Sequence, residues 1–167
     1  MAYDLEEQEQ LANLKAFWAK YGNFLLTVVT VVLLAVAGYR GWQWYQADQA
    51  ARASVAYHQL LEAARTGDRA KVTDAAGAIF ADYGSTVYGQ MAALLVAKAH
   101  FDAGDLRSAR APLEWAIDNA RDDEFRHLAR VRLAGVLIDA NEPAQAMQLL
   151  SAEPPEAFAA AYADRRG

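Results

Sequence analysis

Nineteen consecutive residues without a charge, Tyr21 to Tyr39 (YGNFLLTVVTVVLLAVAGY), lie between Lys20 and Arg40 and limit what this chain can fold into. As an α-helix the run is roughly 28 Å long at about 1.5 Å per residue, close to the roughly 30 Å hydrocarbon core of a bilayer. The Phe, Leu and Val residues between Phe24 and Val36 favour insertion by roughly 3 to 6 kcal/mol. Thr27 and Thr30 can return their hydroxyls to carbonyls one turn back, so they oppose it little. Trp18 and Tyr21 on one side, and Tyr39, Trp42, Trp44 and Tyr45 on the other, form the amphipathic aromatic belts of two water interfaces. The segment is expected to cross a membrane once.

Two other readings compete. The strictly apolar part, Phe24 to Ala37, is short enough to be a buried helix of a soluble protein. It is apolar all round, however, and has no polar face to give to water. Ala35-Val36-Ala37 has the small-x-small form of a signal-peptide cleavage site, but the residues before the run carry Asp4, Glu6, Glu7 and Glu9 against Lys15 and Lys20, where a signal peptide would be positive.

A net charge of −5 argues against nucleic acid, which recruits a basic patch to displace counterions. The absence of cysteine removes disulfides, thiolate nucleophiles and thiolate zinc sites together.

In chain order, residues 1–20 read as an acidic leader. Residues 4–20 form an amphipathic helix with Asp4 as N-cap, Glu6 and Glu7 in the first turn, and Leu11, Leu14, Trp18 and Tyr21 on one stripe. The stripe is expected to lie against headgroups before the chain turns into the bilayer. A second reading makes the leader an acidic docking tail for a basic partner. Beyond the span, residues 42–65 contain neither Gly nor Pro, so the membrane helix is expected to run into the first helix of the following domain. From there helices alternate with turns at Gly67-Asp68, Tyr83-Gly84-Ser85, Gly104-Asp105, residues 119–123, Asn141-Glu142-Pro143 and Glu153-Pro154-Pro155. No alternating strand pattern occurs, so the chain is expected to be all-α.

Those turns repeat. Gly67, Gly104 and Asn141 are 37 residues apart, and the same offset superposes Leu60, Ala97 and Ala134, then Val72, Ala109 and Ala146, then Ala76, Leu113 and Leu150. Such a period with Gly-Asp turns between paired helices is the signature of a tetratricopeptide-like solenoid of about three helix pairs, the last incomplete. Each pair must stack on a neighbour to bury its apolar face. Two places strain the pattern. Pro112 falls inside the second helix of the middle pair, so that helix either kinks or starts late, near Ala111. Residues 156–167 begin a further helix without a partner, which is expected to leave Ala146, Leu149 and Leu150 partly uncovered.

The leader with Ala16-Phe17-Trp18 and Tyr21-Gly22-Asn23, the span, Gly38-Tyr39-Arg40-Gly41-Trp42, Ala53-Ser54-Val55-Ala56-Tyr57, Tyr88-Gly89 and Ala92-Ala93-Leu94 together resemble the tetratricopeptide-like family of the ancillary SecYEG translocon subunit. Gly104-Asp105-Leu106 with Ala109, the run from Ala129 to Ala134, and Ala163 to Gly167 are similar too. The resemblance implies a single-pass inner-membrane protein of a Gram-negative bacterium, with residues 1–20 cytoplasmic, 21–39 transmembrane and 40–167 a periplasmic repeat domain. It implies the SecYEG translocon, periplasmic chaperones or secreted chains, and membrane lipid as partners. It also implies a further helical repeat after Gly167, so the chain is expected to be truncated there. Charge counting does not orient the span, because Lys15 and Lys20 before it balance Arg40 and Arg52 after it.

Catalytic chemistry finds no foothold. His58, His100 and His127 stand apart from any metal-binding helix motif, and no phosphate-binding loop or nucleophile elbow occurs. Asp122-Asp123-Glu124 with His127 reads as an acidic first turn serving the helix dipole rather than a cation site. No enzyme, cofactor, metal or small-molecule substrate is expected. Surface recognition remains: in the 37-residue register the first helix of each pair turns Tyr57, Leu61, Leu94, Lys98, Phe101, Leu128, Val131 and Ile138 toward the concave, partner-binding side. Each of these has a second reading as ordinary interhelix core. Two functions follow: a tethered binding module that helps the translocon pass emerging chains to periplasmic chaperones, or a scaffold that self-associates or organises an envelope complex unrelated to secretion.

Overall fold

A computed structural model describes the backbone of residues 2–166 and the side chains of residues 10–166. The chain divides into two compact units, Met1–Ala47 and Asp48–Gly167.

From Ala2 onward the first unit is helical, as part of α1 (Ala2–Thr66). From Gln10 to Ala47 every side chain is exposed, and only Gly22, beneath the Trp18 indole, is buried. The helix is long and apolar enough to cross a bilayer. Thr27 and Thr30 donate their hydroxyls to the carbonyls of Asn23 and Leu26, both at 2.8 Å, so neither carries an unmet polar group into the apolar stretch. The expected break between leader and span is absent. Gly22 and Asn23 are tolerated within a continuous helix, since neither removes a backbone N–H or crowds the preceding turn as a proline would. The helix begins at Ala2, ahead of the expected cap at Asp4, whose side chain lies outside the described residues.

The second unit contains the end of α1 and six further helices: α2 (Arg69–Tyr83), α3 (Val87–Asp102), α4 (Leu106–Asn119), α5 (Asp123–Asp139), α6 (Pro143–Leu149) and α7 (Glu156–Arg166). Described residues 48–166 include no strand. The repeat is carried by backbone chemistry. Gly67, Gly104 and Asn141 have φ of +69°, +75° and +62°, a left-handed conformation that glycine adopts freely and asparagine tolerates better than most. At the latter two, paired bonds close the helix end: Gly104 N–H to the Phe101 carbonyl and Asp105 N–H to that of His100, then Asn141 to Ile138 and Glu142 to Leu137. Asp68 and Asp105 start the next helices by accepting the N–H of Lys71 and Ser108, whereas Pro143 opens α6 with its φ already set.

The nine positions related by the 37-residue offset are at most 3% exposed. Leu60 and Ala63 of α1, Val72, Ala76 and Ile79 of α2, and Ala92 and Val96 of α3 form one core cluster. Ala93, Leu94 and Ala97 belong to a second, completed by α4 to α7. Helix α3 thus buries two faces, one against the pair before it and one against the pair after it, which is how a solenoid stacks. Between α2 and α3 the backbone closes on itself at Gly84 and Gly89. A Cβ on Gly89 would fall 2.7 Å from the Gly84 carbonyl oxygen, so any side chain there would open the turn.

One of two alternatives is excluded and one expectation is corrected. Helix α4 does not start late, for it begins at Leu106 and runs through Pro112. Its first turn is already fixed by Asp105, and Ala109, Leu113 and Ala116 are buried around the proline, so packing outweighs the roughly 3 kcal/mol a helical proline opposes. Nor are Ala146 and Leu150 uncovered. Pro154 and Pro155 lack the N–H groups needed to extend α6, and the chain returns as α7, placing Tyr162, 1% exposed, in the same cluster as Ala146 and Leu150. Leu149 is half-buried. The early end of α6 frees carbonyls, and Arg166 donates to those of Leu150 and Ala152 while stacking 5.7 Å from the Tyr162 ring centre. Arg126 does the same at the end of α4, donating to Ile117 and Ala120.

Candidate partner-binding site

Helices α3 and α5, the first helices of two successive repeats, border a cleft of about 230 Å³. On α3, Ala97 and Lys98 lie one turn before Phe101 and Asp102, so the four line one side of the helix. Arg132, Gly135, Val136 and Asp139 do the same on α5, Leu113 of α4 contributes to the lining, and Arg165 of α7 reaches in from beyond the third pair. A Cβ on Gly135 would sit 3.2 Å from an Arg165 guanidinium nitrogen, so the glycine gives that guanidinium its place.

The position of α7 depends on His127, whose Nδ1 shares a 2.8 Å hydrogen bond with the Tyr162 hydroxyl and whose ring lies 5.5 Å from Phe158. Burial, with help from the Arg130 and Arg126 charges and against Asp123, holds its pKa below the ordinary value. The acidic run beside it caps α5, with Asp122 accepting the Glu124 N–H at 2.9 Å and Asp123 paired with Arg126.

The cleft differs in sign from its chain. Against a net charge of −5, three of its five charged side chains are cations: Lys98, Arg132 and Arg165 oppose Asp102 and Asp139. Lys98 and Asp102 pair at 2.7 Å on the exposed side of α3, where such a pair contributes at most about 1 kcal/mol.

Of the eight residues expected on the concave side, Lys98 and Phe101 line this cleft. Leu94 is buried in the second cluster and belongs to the core. Leu128 and Val131 are half-buried against that cluster, and Ile138 is exposed outside the cleft lining. Tyr57 packs on the first cluster, 5.8 Å from the Tyr88 ring, where burial raises its phenol pKa, and Leu61 is half-buried. In the first unit Trp18, Tyr21, Tyr39, Trp42, Trp44 and Tyr45 are all exposed. Arg132, Gly135, Asp139 and Arg165 were not anticipated. On α5 the cleft-lining face is one residue on from Leu128, Val131 and Ile138, about 100° around the helix. The register carried a signal for two of them, because the 37-residue offset takes Lys98 to Gly135 and Asp102 to Asp139.

The profile of the tetratricopeptide repeat-like domain family matches residues 15–167. The chain is 30% identical over 161 residues to the ancillary SecYEG translocon subunit of Escherichia coli, spanning 96% of this chain and 77% of that protein. It belongs to that family. Identity to the ancillary SecYEG translocon subunit of Haemophilus influenzae is 28% over 158 residues, 95% of this chain and 77% of the relative. The corresponding Neisseria gonorrhoeae subunit is 27% identical over 168 residues, covering 100% and 80%. No solved structure matches the chain. The family's repeat-like domain accounts for the paired helices on either side of the cleft, whereas the match from residue 15 onward also takes in most of the exposed apolar helix.

Proposed function

We propose that this protein is a single-pass subunit of the bacterial inner membrane that associates with the SecYEG translocon and offers its repeat domain as a binding surface for secreted chains or periplasmic chaperones. The observation that carries the reading is the joining, in a chain related to translocon subunits, of an exposed apolar helix to a tetratricopeptide-like domain with an open cleft. In this reading residues 1–20 are cytoplasmic, residues 21–39 span the bilayer and contact lipid, and residues 40–167 are periplasmic. Tethering keeps the domain at high effective concentration beside the channel, so weak binding suffices. Co-purification of channel subunits with the full chain after mild solubilisation tests the association, and their consistent absence would overturn it.

Orientation has its own test, because the native chain has no cysteine. Ala2→Cys and the exposed Asn119→Cys are probed separately with a thiol reagent that cannot cross the inner membrane, in cells with a permeabilised outer membrane. Labelling should reach position 119 and spare position 2. The reverse pattern would remove the periplasmic function while leaving the fold intact.

A further inference from the structure

We propose that the cleft between α3 and α5 takes an extended polypeptide segment through one apolar side chain and a neighbouring carboxylate side chain, with Phe101 against the first and the guanidiniums of Arg132 and Arg165 receiving the second. The proposal rests on the reading that the domain binds polypeptide and names the chemistry it selects. Size sets the first limit: a cavity of about 150 Å³ accepts a benzene ring, so about 230 Å³ holds one large apolar side chain with a small polar group beside it, not the row of anchors a helix would present. The exposed apolar surface comes chiefly from the 39%-exposed Phe101 ring, with Ala97, Leu113 and Val136, each at most 5% exposed, forming the floor behind it.

Charge sets the second limit. Lys98 and Asp102 neutralise one another, which leaves two guanidiniums opposite Asp139 alone. Arg132 makes no ion pair or hydrogen bond among the described residues, and Arg165 makes only a 3.9 Å contact from Nε to Asp164, leaving its terminal nitrogens to the cleft. Arg110, Arg126 and Arg166, by contrast, are spent on carboxylates and carbonyls of their own helix, neighbouring helices and helix ends. Planar guanidiniums with free N–H groups beside an apolar surface suit a carboxylate. A chain in transit displays side chains rather than its terminus, so the occupant is an internal Asp or Glu next to a large apolar residue.

The test uses the full chain in detergent micelles and fluorescence anisotropy with three labelled ten-residue Gly/Ser peptides. The first has one leucine and, two residues on, one glutamate, with both ends blocked. The second replaces glutamate by glutamine, and the third is the glutamine peptide with a free C-terminal carboxylate. The glutamate peptide should bind about 3- to 5-fold more tightly than its glutamine twin. Arg132→Gln, at an exposed position, should lower that ratio, because Arg165 alone then receives the carboxylate, with the melting temperature unchanged, whereas Phe101→Ala should weaken both blocked peptides alike. Equal binding of the blocked twins, tightest binding of the free terminus, or an unchanged ratio in Arg132→Gln would each overturn the proposal. If no peptide binds while channel subunits still co-purify, the cleft assignment falls and the proposed function stands. Intact peptide discrimination without co-purification has the opposite meaning.

Discussion

Residues 10–47 and residues 48–166 place their large apolar side chains in opposite surroundings. In the first stretch Phe24, Leu25, Leu26, Val31, Val32, Leu33, Leu34 and their neighbours are all exposed; in the second, exposed large apolar residues reduce to Val55, Val87, Phe101, Ile138 and Met147. Exposed apolar surface on the scale of the first stretch is stable only in an apolar medium, and its all-round distribution matches lipid better than a protein partner that would cover one face. The second stretch supplies its own medium through two packed clusters. In the proposed membrane span the backbone would satisfy its own hydrogen bonds within the helix, whereas the short helices of the second stretch persist because their neighbours bury them.

The largest separation of the two regimes is expected from Tyr162→Ala. Removing a fully buried ring and the partner of His127 should lower stability by about 3 to 5 kcal/mol, read as a fall in melting temperature of the full chain in detergent, with membrane retention unaltered. A loss under about 1 kcal/mol would mean that α7 caps nothing. Next in size is Val32→Arg, in the middle of the exposed apolar run. It should cost about 2.5 to 3.5 kcal/mol of insertion, appearing as a larger fraction extracted by alkaline carbonate while the domain melts as before. Full membrane retention together with a lower melting temperature would assign Val32 to a protein core and erase the contrast.

A smaller effect tests the boundary between core and open surface. Phe101→Ala should change stability by about 1 kcal/mol or less, because the ring is 39% exposed. A loss in the 3 to 5 kcal/mol range of a buried phenylalanine would place it with Leu94.

How far the sequence reveals these regions depends on how local the deciding physics is. The uncharged run announces a long, exposed apolar helix by composition alone, and Gly67, Gly104 and Asn141 are legible because a left-handed turn selects its residue without help from the rest of the fold. Their spacing then orders the buried positions. The cleft is less legible, since it depends on the rotation of α5 about its axis, and choosing apolar residues favours Leu128, Val131 and Ile138 over Arg132, Gly135 and Asp139. Arg165 is least legible of all. Nothing local after Pro154 and Pro155 says that α7 will turn back onto α5, and that return both seals the core and brings the guanidinium to Gly135.

The smallest expected effect sharpens the comparison through pH. Burial and the Arg130 and Arg126 charges, opposed by Asp123, lower the His127 pKa in the folded state, so folding favours the neutral ring. The stability this contributes is complete above the unfolded value of about 6.5 and is lost as pH falls through it toward the lower folded value. Asp68 and Asp105, held below the ordinary carboxylate value by the Lys71 and Ser108 backbone N–H groups, lose their contribution only as pH falls below about 4, so the two windows do not overlap near pH 6. The melting temperature in detergent should therefore fall between pH 7.5 and 5.5. His127→Asn, uncharged and with a polar atom close to the position of Nδ1, should flatten that slope, and an unchanged slope would move the cause elsewhere. Residues 10–47 contain no Asp, Glu or His, so membrane retention should stay constant across the same range.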